Sequence, residues 1–132
     1  MGFIRIKRIY DAPASTDGKR VLVDRIWPRG VSKKSVNLDL WLKDIAPSTE
    51  LRKWFDHDPA RFDEFSDRYR QKLEANADAV SELRDLACHD DLTLLYAARD
   101  RCVNHAIVLA KFLENKSIRF DRSDPTGFLP QI

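Results

Sequence analysis

The spacing of apolar residues changes several times along this chain, and each change marks an element. Residues 3–10 (Phe-Ile-Arg-Ile-Lys-Arg-Ile-Tyr) alternate apolar with basic positions, the period of a half-exposed strand. Ile4 and Ile6 are expected to face the core, with Arg5 and Lys7 on the other side. Asp11 to Gly18 contains Pro13 and an Asp17-Gly18 pair and reads as loop. Val21-Leu22-Val23 is a short apolar run expected to form a buried strand, and Asp24-Arg25-Ile26-Trp27-Pro28-Arg29-Gly30 cannot continue it. A parallel crossover usually needs about a dozen residues or more. The intervening loop is shorter than that, so spacing leaves an antiparallel pairing of the first two strands open.

A helical period follows. Leu38, Trp41, Leu42 and Ile45 stand at i, i+3, i+4 and i+7 and predict a short amphipathic helix over 37–45, stopped by Pro47. Ser48 is a good N-cap for a helix running to Phe55. Asp58-Pro59 starts a longer helix with Phe62, Phe65, Tyr69 and Leu73 on one stripe and a Glu64–Arg68 pair on the exposed side. After a break at 76–78, Val80, Leu83 and Ala87 form the apolar face of another helix. Leu92 to Ala97 is the clearest buried strand. It opens through Ala98-Arg99-Asp100-Arg101 into an apolar helix from about Cys102 to Leu113, whose first turn holds Asn104 and His105. Asn115 can end that helix in the left-handed conformation. Residues 117–120 have the makings of an edge strand, and from Asp121 two prolines and a glycine suggest a tail trailing over the surface.

This order predicts an α/β fold: a single compact domain with a small, mostly parallel sheet flanked by helices, in Rossmann-like or flavodoxin-like layers. Residues 1–116 are expected to form the domain and 117–132 a C-terminal tail carrying the short edge strand.

At 132 residues, 43 % apolar and 33 % charged, the chain has the composition of a one-domain globular protein. No apolar run approaches the roughly 20 residues needed to cross a bilayer. Residues 1–10 lack the continuous apolar core of a signal peptide, so no membrane association and a cytoplasmic location are expected. Cys88 and Cys102 fit reduced thiols there. No cysteine pair has metal-ligand spacing, and four glycines leave no Gly-rich phosphate cradle, so neither a metal nor a cofactor is expected.

The net charge is only +2, but it is unevenly spread: residues 1–37 hold nine Lys and Arg against three Asp (+6), and residues 38–132 hold fourteen against eighteen acids (−4). A basic first third points to an anionic ligand, or to a solvated basic strand edge. It also admits nucleic acid, with Arg5, Lys7, Lys19, Lys33 and Lys34 on phosphates and Trp27 stacking.

If the strands ending near 24 and 97 are parallel, their loops share one edge, where open α/β sheets bind ligands. That edge would gather Arg25, Trp27 and Arg29 from one loop and Arg99, Asn104 and His105 from the other, joined by Arg8 and Tyr10 if the first strand is parallel too. Guanidinium forks beside a helix N-terminus make an anion receptor. The leading expectation is a phosphorylated or otherwise anionic small molecule, a nucleotide included. In an enzyme of this kind, a metal-free hydrolase or transferase, His105 is the general acid/base and Asp24 a base or orienter. Arg25 and Arg29 hold the anion and Asn104 orients it. Each residue has a plainer reading: Asp24–Arg25 as an ion pair, Trp27 as a plug over the sheet end, His105 as a hydrogen-bonded structural residue. Cys102 has no fixed base beside it, and His57 and His89 sit in polar turns. A non-catalytic interaction module using exposed aromatics is the third reading.

Five segments carry a resemblance: Lys-Arg-Ile-Tyr-Asp at 7–11, Arg-Val-Leu-Val-Asp-Arg-Ile-Trp-Pro-Arg-Gly at 20–30, Pro-Ser-Thr-Glu-Leu-Arg-Lys at 47–53, Leu-Thr-Leu-Leu-Tyr-Ala-Ala-Arg at 92–99 and Asn-His-Ala-Ile-Val-Leu-Ala at 104–110. Over about residues 3–115 the chain resembles the YeaO-like proteins, part of a larger group defined as a domain of unknown function. The resemblance implies a compact α/β layer structure and no established activity. Longer members of that group look similar at the same two loops, with Cys-His-Arg at the start of the last helix. In this chain Asn104 stands at the Cys position, His105 matches, and Ala106 stands at the Arg position. Covalent thiol catalysis is therefore not carried over.

Overall fold

A computed structural model describes residues 2–121. The strands are β1 (Gly2–Arg8), β2 (Lys19–Leu22), β3 (Leu40–Trp41), β4 (Leu92–Tyr96) and β5 (Ile118–Phe120). The helices are α1 (Thr49–Phe55), α2 (Phe62–Ala75), α3 (Ala77–His89) and α4 (His105–Leu113). The strands form one sheet in the order β3-β2-β4-β1-β5, and every pairing is parallel. β1 and β2 do not pair: both flank β4, so the antiparallel option is overturned. The trailing segment expected after Asp121 lies outside the described residues.

Parallel crossovers are right-handed, so connections that step in opposite directions along a sheet must lie on opposite faces. The packing follows that rule. All four helices, in the connections β3–β4 and β4–β5, bury their apolar residues against Ile4, Val21, Leu92, Leu94 and Ile118 on one face. The two connections that step the other way, β1–β2 and β2–β3, carry no α-helix and cover the opposite face. There Ile9, Val36, Trp27, Val31 and Leu38 pack on Leu22 and Leu95.

The β1–β2 connection crosses β4 in ten residues, 9–18. Its closure rests on Asp17, whose carboxylate receives Lys7 Nζ from β1 (3.1 Å) and Arg20 Nη1 from β2 (2.5 Å). Thr93 Oγ1 of β4, between them, donates to the Asp17 carbonyl at 2.7 Å. Lys7 is thus buried rather than solvated, because the loop lies over it. Burial opposes ionisation of Asp17, but the Ala14 amide and the Lys7 and Arg20 cations outweigh it and hold the carboxyl below its ordinary value. Gly18 completes the crossing at φ 66°, and a Cβ there would lie 2.1 Å from the Asp91 carbonyl oxygen.

The helix expected over 37–45 does not form. Asn37 takes a positive φ of 55°, Leu40–Trp41 pairs with β2, and only Lys43–Ile45 makes a 3-10 turn. Leu40 and Leu42 serve the helix face and Leu38 and Trp41 the loop face, so a two-sided strand imitates a helical stripe. The other helix signals hold. Ser48 Oγ accepts the Leu51 amide, and Asp58 caps a 3-10 turn leading into α2. Phe65, Tyr69 and Leu73 are buried in α2, and Arg68 bridges to Glu64. Helix α4 begins later than its apolar run, with Asn104 as N-cap and His105 as the first helical residue. Asn115 is not left-handed: Glu114 ends α4 in extended conformation, and Asn115 Oδ1 accepts the Ser117 and Ile118 amides.

Candidate functional site

The carboxyl ends of β2 and β4 are adjacent, and their connections leave on opposite faces, the arrangement that opens a crevice in α/β sheets. A cavity of about 240 Å³ lies there, lined by residues after β2 (Asp24, Arg25, Ile26), before and in α1 (Ala46, Pro47, Arg52, Phe55), after α1 (His57), in α2 (Phe65) and around β4–α4 (Ala97, Ala98, Asn104, His105).

Asp24 ties the two strand ends together. Its Oδ2 accepts the Ala97 amide at 3.0 Å, and its Oδ1 lies 3.1 Å from His105 Nε2. That nitrogen is also 3.1 Å from the Val23 carbonyl oxygen. Both neighbours are acceptors, so Nε2 carries the proton. With that N–H directed at Val23, Asp24 Oδ1 is buried without a hydrogen-bond donor among the described residues. Beneath them Tyr69 is fully buried, its ring edge-on to His105, and its hydroxyl donates to the Ile45 carbonyl at 2.6 Å. Burial, with the Asp24 carboxylate nearby, pushes the Tyr69 phenol well above its ordinary range, so it remains a donor.

Arg25 does not pair with Asp24. Its Nε and Nη2 donate to the carbonyls of Pro47 (3.2 Å) and Ala46 (3.4 Å), which aims the guanidinium and leaves Nη1 without a partner among the described residues. Arg52 is exposed at the rim, and its side chain makes no hydrogen bond or ion pair among the described residues. Burial, and after it the Arg25 cation, hold the nearby Lys72 ammonium below its ordinary value. Asp56 and His57 both take left-handed backbone (φ 49° and 54°) where α1 ends, which places His57 in the wall.

Asn104 is spent on structure. Its Oδ1 accepts the Ile107 amide at 3.0 Å and its Nδ2 donates to the Asp100 carbonyl at 2.9 Å. Asp100 in turn takes the amides of Cys102 (2.8 Å) and Val103 (3.0 Å).

Of the residues singled out from sequence, the cavity therefore brings together Asp24, Arg25, Asn104 and His105. Arg8, Tyr10, Trp27, Arg29 and Arg99 lie outside its lining. Trp27 is the plug: its indole donates to the Val31 carbonyl at 2.8 Å and its ring meets Trp41 edge-on on the loop face. Arg8 donates to the carbonyls of Ala98 and Ala97 and stacks on Tyr10, whose hydroxyl donates to the Arg29 carbonyl. Arg29 and Arg99 are exposed. Sequence reasoning missed Arg52 and His57. Arg52 lies within the 47–53 segment that carries the resemblance, a usable signal; a left-handed His57 leaves none.

Residues 3–128 match a family model described as the inactive DUF488-N3 subclade. The chain belongs to this family. It is 45 % identical over 113 residues to the uncharacterised protein Rv3073c of Mycobacterium tuberculosis, covering 86 % of this chain and 95 % of the relative. It is 44 % identical over 112 residues to the uncharacterised protein YeaO of Escherichia coli, covering 85 % and 97 %. No solved structure matches the chain. Among the described residues of this DUF488-N3 family member, no helix is long and apolar enough to cross a membrane.

Proposed function

We propose that this protein binds a small anionic molecule in the cavity between the ends of β2 and β4, without covalent catalysis. The observation that carries the reading is the convergence of two guanidinium groups with uncommitted donors, Arg25 and Arg52, on a crevice at the sheet's switch point. Catalysis by an attached nucleophile has no support at the start of α4, where Asn104 spends both ends of its amide as a cap. The family's description as inactive agrees with binding without turnover. His105 and Asp24 then serve to hold the strand ends and the cavity wall in place.

The nucleic-acid reading loses two of its five cations. Of the cations it names, Lys7 is buried on Asp17 and Arg5 is tied to Asp91 and Asp121, while Lys19, Lys33 and Lys34 stay exposed.

Thermal shift with sulfate, phosphate and a panel of phosphorylated and carboxylated metabolites tests the proposal. Stabilisation is expected for wild type and for Arg29→Gln, whose side chain lies outside the cavity, and a weaker shift for Arg25→Gln and Arg52→Gln. Equal shifts in all four proteins, or no shift with any anion, would overturn it.

A further inference from the structure

Size, charge and wall chemistry narrow the class of anion, given the binding reading above. A cavity of about 240 Å³ lies below the roughly 300–1,000 Å³ of common ligand pockets and suits a small molecule the size of benzoate. Counting the Arg and Asp side chains, the lining sets Arg25 and Arg52 against Asp24, one net positive charge. A monoanion balances that charge. A phosphate dianion would bring surplus negative charge close to Asp24 Oδ1, which already lacks a donor.

The donors point the same way. Phosphate sites in α/β folds use free backbone amides at a helix start. Here Asp100 takes the amides of Cys102 and Val103, and Asn104 that of Ile107, so three amides around the start of α4 are already spent on the chain's own acceptors. The charged donors at the lining are guanidinium forks, which pair bidentately with a planar carboxylate. Much of the remaining wall is apolar: Ile26, Pro47, Ala98 and a stacked Phe55–Phe65 pair with centroids 4.2 Å apart. A flat apolar body fits beside such rings.

We infer that the ligand is a small monocarboxylate with a flat or branched apolar body, its carboxylate on Arg25 and Arg52 and its body against Phe55, Phe65 and Ile26.

Titration calorimetry on the intact protein decides it, with benzoate, 3-methylbutanoate, neutral benzamide, phenyl phosphate and adenosine monophosphate as probes. One of the two carboxylates is expected to bind best, benzamide at least about tenfold more weakly, and Arg52→Gln to weaken the carboxylate about tenfold or more, the loss of a charge-assisted pair. Arg52 is exposed, so that variant is expected to fold. Tighter binding of either phosphate probe, or equal binding of benzamide, overturns the carboxylate class. In the first case Arg52 sensitivity leaves the anion-binding reading standing. No binding by any anionic probe overturns both.

Discussion

Asp17 is a buried carboxylate that holds two cations from two strands, and removing one member of such a cluster leaves charge buried without a counter-ion. Asp17→Asn is expected to cost about 3–5 kcal/mol, read from urea unfolding at pH 7. The pH dependence has a definite sign. The carboxyl is held below its ordinary 3.8 in the fold, so its contribution is complete above about pH 4 and is lost as pH falls through the folded value. Asp11 is shifted the same way, chiefly by its hydrogen bonds from Arg101. Stability of the wild type should therefore fall more between pH 6 and pH 3 than that of Asp17→Asn, and parallel curves would refute the assignment. None of this could be read from spacing. Alternation in β1 put Lys7 opposite Ile6, but it carries no information about a loop folding over that face. In the same way, Arg25 and Asp24 are neighbours in sequence and bond elsewhere, Asp24 to the Ala97 amide and Arg25 to the Pro47 and Ala46 carbonyls.

Helix α4 shows what a local signal does and does not reveal. Its apolar run was legible, but its start was not, since Cys102 and Val103 look helical until Asp100 captures their amides. Asn104→Ala removes the N-cap and is expected to lower stability by about 1–2 kcal/mol, with Asn104→Ser recovering most of the loss. A cap-independent melting temperature would contradict that role. Helices α1 and α2 were readable because Ser48 and Asp58-Pro59 are strong start signals. Strand β3 was not, because residues that serve two faces fell by chance at helical spacing. The β1–β2 crossing makes a further claim at Gly18. Its positive φ and the nearby Asp91 carbonyl make Gly18→Ala destabilising by more than about 1 kcal/mol, again by urea unfolding.

Across the whole molecule, the topology places the site. The α/β class and a parallel sheet followed from element order, and the edge shared by the ends of β2 and β4 followed from the two strand-to-loop transitions at 24 and 97. The membership of that edge did not. Trp27 and Arg29 belong to the loop face because the β2–β3 connection must cross there, opposite the helices. Arg52 and His57 enter the wall only because α1 packs beside the end of β2. The cavity is thus a consequence of two connections leaving adjacent strands on opposite faces, and the chemistry offered there is cationic forks over an apolar wall. The most direct test is an amide chemical-shift map of the labelled protein titrated with benzoate and with phosphate. The account predicts saturable shifts with at least one of them, concentrated at residues 24–26, 46, 52–57, 97–98 and 105. Shifts confined to the exposed lysines at 33 and 34, or spread evenly without saturation, would contradict it.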